Sequence, residues 1–285
     1  MPTYNLADIY VNIDENTWTL PQSFADFVTG VYPGGVNWKI QFGTIPEIDG
    51  AGCAEGVVLK CFTDKNNRTY LRIPNENEVV SLITAESDWK KCTFYLNREF
   101  DFPADINCRQ WVGVRIVPAI KEAFSAILAL NDGLHLHSAT IEWEGKGIAY
   151  SAPSGTGKTT QAHLWRELYD IRILDGDVAA CRVKDGEVKV YGLPWCGTSG
   201  EYLNGSAPLK AVVFLEQAEE NRIERLEPAE ALMRLIAGSY LPVWSEALVN
   251  HAIDTAQKIS ETVACYLLLC RPDQEAVELV RQCVK

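Results

Sequence analysis

The sequence predicts a mixed α/β protein with a β-rich N-terminal region. Three observations carry that expectation. Short β-prone segments separated by turn clusters fill the chain up to about residue 115. Beyond it, strand and helix patterns mix to the C-terminus, some strands being joined by tight hairpin turns. A glycine-rich loop at residues 152–160 sits between an apolar strand pattern and a helix-compatible run.

A chain of 285 residues suffices for one large domain or two ordinary ones. Apolar residues make up 47% and charged residues 22%, a globular and not a disordered balance. The formal net charge of −12 repels nucleic-acid phosphates and anionic lipid, so neither is expected as a partner. The same charge requires any nucleotide site to be locally positive. The start, Met1-Pro2-Thr3-Tyr4, has neither a basic nor an apolar signal region. The longest apolar run, Ala264–Cys270, falls far short of the about 20 residues that span a bilayer. The expectation is a soluble cytoplasmic protein. Nine cysteines form no CxxC pair and stand at no zinc-finger spacing, which implies reduced thiols used mostly as small core residues.

The elements follow in order. Strands are expected at Ile9–Ile13, Val36–Phe42, Gly56–Phe62, Thr69–Ile73 and Lys91–Leu96, divided by turn clusters at 33–35, 49–50, 66–67 and 75–77. A helix is expected from Pro118 to Leu130, since Pro118 suits a first turn and Ile120, Phe124, Ile127 and Leu128 recur at helical spacing. Ala139–Trp143 and Gly147–Ser151 read as a hairpin around Glu144-Gly145-Lys146. Further strands are expected at Ile171–Leu174, Val178–Val183, Glu187–Gly192, Leu209–Leu215 and Cys265–Leu269. Helices are expected at Pro228–Ala237, Ser245–Glu261 and Asp273–Cys283. These patterns divide the chain into a β-rich region, residues 1–115, and a mixed α/β region, residues 116–285.

The segment Ala152-Pro153-Ser154-Gly155-Thr156-Gly157-Lys158-Thr159-Thr160 matches the phosphate-loop pattern G-x-x-x-x-G-K-[ST] at every position but the first, where alanine replaces glycine. Gly155 and Gly157 allow backbone angles that turn successive N–H groups toward an anion. The helix starting near Lys158 points its positive end at the same place. Lys158 adds a charge for terminal phosphates, and Thr159 offers a hydroxyl to Mg²⁺. Ser154, Thr156 and Thr160 complete the expected nucleotide contacts. A nucleotide site also needs a carboxylate, and Ile173-Leu174-Asp175-Gly176-Asp177 supplies two. If the loop helix is a right-handed crossover between parallel strands, Asp175 and Asp177 emerge at the sheet edge where the loop lies. The alternative for both is a polar turn at a strand end.

From His135 to about Gly197 the sequence resembles the HPr kinase/phosphorylase family, itself related to ATP-dependent phosphoenolpyruvate carboxykinase. The likeness is carried by His137 ahead of the loop, a strand-turn-strand leading into it, the loop Ser154-Gly155-Thr156-Gly157-Lys158-Thr159 itself, the acidic residues after it, and Tyr191-Gly192-Leu193-Pro194-Trp195-Cys196-Gly197. The last resembles a G-x-P-W-x-G segment of HPr-kinase-like proteins found beside peptide-modifying enzymes. The resemblance implies a mixed-sheet P-loop kinase core that transfers the γ-phosphate of ATP or GTP, with Mg²⁺, to a hydroxyl. That hydroxyl would belong to a serine of a protein or peptide, or to a small molecule. It implies Asp177 as the base, with Asp175 next in line, Thr159 and Asp177 as metal ligands, and Lys158 and His137 at the phosphates. His137 alone is equally compatible with a structural histidine.

The sequence departs from the family in splitting the acidic pair with Gly176, in carrying Thr160 where HPr kinases often have Glu, and in lacking their C-terminal signature. The acceptor is therefore left open. A non-catalytic nucleotide-binding regulator and a carboxykinase-like small-molecule enzyme stand as alternatives. A homo-oligomer is compatible with all three, and residues 1–115 are free to recognise a peptide or partner.

Overall fold

The computed structural model describes residues 1–14, 19–30, 35–42, 60–64, 68–72, 80–96, 108–195 and 197–285. Most of the expected turn clusters at 33–35, 49–50, 66–67 and 75–77, residues 56–59, and Cys53 and Cys196 lie outside them. Two compact units emerge: Met1–Leu130 with Pro242–Leu248, and Asn131–Leu241 with Val249–Lys285.

The first unit holds β1 (Thr3–Leu6), β2 (Ile9–Asp14), β3 (Val28–Thr29), β4 (Val36–Phe42), β5 (Lys60–Thr63), β6 (Thr69–Arg72), β7 (Val80–Ala85), β8 (Lys91–Leu96) and α1 (Cys108–Ala129). Among the described residues its strands form one eight-stranded sheet in the order β3-β1-β2-β4-β8-β7-β6-β5. Alternation builds it: Ile9, Val11 and Ile13 of β2 are buried, and the residues between them are half-exposed. Trp38 of β4 is buried edge-on to Phe94 of β8, and its ring N–H donates to the Trp89 carbonyl at 3.3 Å. The helix expected to open at Pro118 instead opens at Cys108, with Pro118 in its interior. An interior proline forfeits one helical hydrogen bond and costs about 3 kcal/mol. Burial of Ile116, Ile120, Phe124 and Ile127 on either side of it offsets that cost. The change of character near residue 115 falls within α1.

The second unit contains β9 (Gly133–Trp143), β10 (Lys146–Ser151), α2 (Lys158–Leu168), β11 (Arg172–Asp175), β12 (Val178–Lys184), β13 (Glu187–Tyr191), β14 (Ser206–Gln217), β15 (Arg222–Arg225), α3 (Pro228–Ala237), β16 (Ser239–Tyr240), most of α4 (Glu246–Thr262), β17 (Ala264–Cys270) and α5 (Gln274–Val284). The expected hairpin forms on the two-residue turn Glu144-Gly145, and β12 and β13 form another on Asp185-Gly186, with positive φ at all four residues. Asp273 caps α5, its carboxylate accepting from the Ala276 N–H at 3.2 Å.

The sheet is mixed: β14 runs parallel to both β10 and β17, while β9 is antiparallel to β10, β11 and β12. β9 and β14 are long enough to change partners along their length. Residues 133–137 of β9 pair with β12 and residues 138–143 with β10, so the pairings β10-β9-β12-β13-β14-β10 close on themselves.

Both faces of the central strands are covered. Ala211, Val213 and Leu215 of β14 join Tyr266 and Leu268 of β17 under α2 and α5. Val212 and Phe214 join Cys265 and Leu267 under α3 and α4. Burial on both faces explains why these strands read as continuous apolar runs. Cys92, Cys181, Cys265 and Cys270 are buried free thiols, and burial pushes that of Cys181 up to about 12. Among the described residues no helix is long and apolar enough to cross a membrane.

Trp165 locks α2 to this core. It is fully buried, lies 5.3 Å from the Trp143 ring and 5.5 Å from that of Tyr169, and donates its N–H to the Tyr150 hydroxyl. Trp165→Ala should cost about 3–5 kcal/mol of stability, read as a lowered urea midpoint with the far-UV spectrum retained.

Candidate functional site

The site is assembled at one edge of the second sheet by strand direction. Ile141 of β9 pairs with Ile148 of β10 on one side and with Ile173 of β11 on the other. β10 and β11 therefore run parallel with β9 between them, and both deliver their C-terminal ends to the same edge. The acidic turn emerges beside the glycine-rich loop as sequence reasoning expects, although the two strands are separated by β9 and not adjacent.

The loop follows β10 directly. Gly155 and Gly157 adopt φ of 80° and 117°. An added Cβ would meet nothing within 4 Å at either position, so the torsion and not the space selects glycine there. Gly157 precedes α2 with no side-chain cap on the helix and no acidic residue in its first turn. The positive end of α2 is thus left to whatever anion the loop meets. Lys158, the first residue of α2, is buried and folds back across the loop, donating to the carbonyls of Ala152 at 2.8 Å and Pro153 at 3.2 Å. Burial draws its ammonium below the ordinary value, and the negative charge of Asp177 opposes that. Thr159 is half-buried; Ser154 and Thr160 are exposed.

The two aspartates differ sharply. Asp175 is fully buried, and its carboxylate accepts the backbone N–H groups of Asp177 at 2.8 Å, Val178 at 2.8 Å and Leu193 at 3.0 Å. Burial pushes Asp175 from its ordinary 3.8 up to about 7, against the pull of those three donors. With both oxygens occupied by backbone, Asp175 shapes the turn. The catalytic role that the resemblance extends to it does not suit a carboxylate sealed from the loop's surroundings. Asp177 is partly exposed, and its carboxylate lies 3.6 Å from Nε2 of His137. Its backbone is pinned to β9, its carbonyl accepting the Ser138 N–H at 2.9 Å.

His137 is held from both ends of its backbone: its N–H donates to the Gly238 carbonyl at 2.8 Å, and its own carbonyl accepts the Ser151 hydroxyl at 3.0 Å. His135 is buried, with Trp195 edge-on at 5.7 Å, so both belong to the core. Gly197 closes the far side of Asp177. Its φ is +55°, and a Cβ there would sit 2.5 Å from the Asp177 carboxyl carbon.

Two clefts flank the loop. One, of about 430 Å³, is lined by His137, Ser151, Ala152, Pro153, Glu216, Arg234 and Gly238 among others. Arg234 enters it already paired with Glu216 at 2.8 Å and Glu230 at 3.1 Å. The other, of about 410 Å³, is lined by Gly155, Thr156, Gly157, Thr160, Gln161, Gln217, Arg271 and Pro272 among others. Arg271 and Gln217 carry no sequence signature; only the parallel ends of β14 and β17 bring them to the loop. Arg222 of β15 is exposed and paired with Glu224 at 3.1 Å.

Two predictions follow from the turn. The folded value of Asp175 exceeds its unfolded one, so the native state binds the proton more tightly. Its stabilising contribution is complete below pH about 4 and is lost as pH rises through about 7. Urea midpoints measured from pH 5 to 8 should show wild type losing stability relative to Asp175→Asn as pH rises. Gly197→Val should displace the Asp177 carboxylate from His137, visible as shifted His137 imidazole resonances by NMR.

Among known proteins, the family model described as SynChlorMet cassette protein ScmC matches residues 109–272, more than half of the chain and the whole of the site. No curated protein matches. The structure of the Hpr(Ser) kinase/phosphatase from Coxiella burnetii aligns with a TM-score of 0.31 at 9% sequence identity, covering 52% of this chain and 86% of that one. That likeness is too low to establish a shared fold. By the extent of the family match, the chain belongs to the ScmC family of SynChlorMet cassette proteins.

Proposed function

We propose that this protein is a nucleoside-triphosphate-dependent phosphotransferase acting on a hydroxyl. One observation carries the reading: Lys158, folded over a left-handed glycine loop at an uncapped helix start, lies within the electrostatic reach of the Asp177 carboxylate at the same sheet edge. Cation, amide donors and carboxylate are the parts that transfer of a phosphoryl group requires. The arrangement suits a triphosphate because the start of α2 carries no side-chain cap and no acidic residue in its first turn.

The clefts divide the work. Gly155–Gly157 and Thr160 line the one suited to the nucleoside and inner phosphates. His137 and Ser151 line the one suited to the acceptor. Asp177 accepts the proton of the acceptor hydroxyl as its oxygen forms the bond to the γ-phosphorus. The bond to the bridging oxygen breaks, and the nucleoside diphosphate leaves. Lys158 and the first amides of α2 hold the transferred charge in place. Thr159 and Asp177 are the residues suited to Mg²⁺, which when bound neutralises phosphate charge. His137, 3.6 Å from Asp177, orients that carboxylate or contacts the phosphate beside it. The nucleotide is ATP or GTP, and the acceptor a serine of a protein or peptide, or a small-molecule alcohol.

Labelled γ-phosphate transfer to lysate proteins and to free serine tests the reading. Lys158→Ala should abolish transfer and weaken Mg-nucleotide binding. Asp177→Asn should slow transfer by about 10²–10⁴-fold with nucleotide affinity nearly unchanged. Normal transfer by Asp177→Asn would remove it as the base, and no affinity of wild type for any Mg-nucleotide would remove the reading itself.

A further inference from the structure

The segment from Gly197 to Leu203 lies against the acidic turn and is tied to α2 through one side chain. Its backbone grips the turn: the Gly176 N–H donates to the Glu201 carbonyl at 3.0 Å, the Leu203 N–H to the Leu174 carbonyl at 2.9 Å, and Tyr202 bridges Asp175. The fit is close on both sides. A Cβ on Gly176 would stand 2.1 Å from the Ser199 hydroxyl, and one on Gly197 would stand 2.5 Å from the Asp177 carboxyl carbon. The Glu201 carboxylate turns the other way, accepting from His163 Nε2 at 2.9 Å and from Arg166 Nη1 at 2.7 Å. His163 and Arg166 stand three residues apart, on one face of the helix that begins with Lys158. Glu201 is 21% exposed while His163 and Arg166 are 41% and 53% exposed, so the fork is shielded on the carboxylate side only.

We propose that Glu201 is a positioning residue that fixes Asp177 relative to Lys158, an inference that rests on the phosphotransferase reading. Asp177 follows a strand and Lys158 opens a helix, and β9 separates their two strands. Beyond the backbone ladder that β9 provides, the Glu201 fork adds a direct side-chain link between α2 and the segment that grips the acidic turn. A carboxylate displaced by an ångström loses about 10²-fold in rate. Glu201 touches neither the loop nor the clefts, so its loss should alter the rate and spare nucleotide affinity.

The test uses the full chain, γ-labelled Mg-ATP and Mg-GTP, lysate acceptors and water as phosphate acceptors, and calorimetry for nucleotide affinity. Glu201→Ala should lower kcat by about 10- to 100-fold with nucleotide Kd changed less than about twofold. The His163→Ala/Arg166→Ala pair, both on the exposed face of α2, should reproduce the effect if Glu201→Ala fails to fold. The effect should vanish in an Asp177→Asn background, because a residue acting through Asp177 has nothing left to position. Equal slowing in both backgrounds, or parallel loss of affinity and thermal stability, marks a merely structural contact and overturns the proposal. Unchanged kcat in an active wild-type background also overturns it. A wild type that transfers no phosphate to any acceptor removes the phosphotransferase reading, and the proposal with it.

Discussion

A carboxylate sealed inside the protein organises the sheet edge on which everything else depends. Asp175 gathers the N–H groups of Asp177, Val178 and Leu193 around itself. Those donors come from the turn after β11, the start of β12 and the segment after β13. Buried N–H groups left without acceptors would cost about 1–3 kcal/mol each, so one side chain satisfies what three strands' ends would otherwise leave open. With those ends fixed, Asp177 leaves the same sheet edge as the loop, within reach of His137 and of the Lys158 charge. The Asp-Gly-Asp spacing thus separates a structural carboxylate from an accessible one, and close packing of Ser199 over Gly176 explains the residue between them.

The same separation shows in what was legible in the sequence. The loop, its helix, both hairpins, α3, α5 and the order of elements from residue 134 onward are written locally, in glycine positions, turn dipeptides and alternation. Strand direction was legible too, because a helix crossover constrains it. The role of Asp175 was not, since burial is a property of the finished fold and both aspartates look alike in a turn. Nor was Glu201: its partners are 35 and 38 residues away and obey no motif. The start of α1 was misread because Pro118 is a local signal that packing overrides. β15 and β16 escaped notice because a two-residue strand and a charged edge strand carry no apolar pattern.

Charge explains how an acidic chain could hold an anion. With a net charge of −12 the surface as a whole opposes a nucleotide. The arginines at the sheet edge do little to reverse this, since Arg234 faces Glu216 and Glu230, and Arg271 faces Asp273 and Glu275. Arg166 is likewise answered by Glu201. Lys158 differs from them: its ammonium donates to two carbonyl oxygens, which satisfy two of its three protons without cancelling its charge.

Among the described residues at this sheet edge, attraction for an anion centres on the Lys158 ammonium and the uncapped start of α2. A site so centred discriminates by position more than by total charge. An anion seated at the loop would meet the amides at the start of α2, whose dipoles add. Within the proposed reaction, partial neutralisation by a divalent ion makes the nucleotide's approach less costly against that background. Under that proposal, the negative surround makes placement at the loop, and not overall charge, the source of any affinity for the nucleotide.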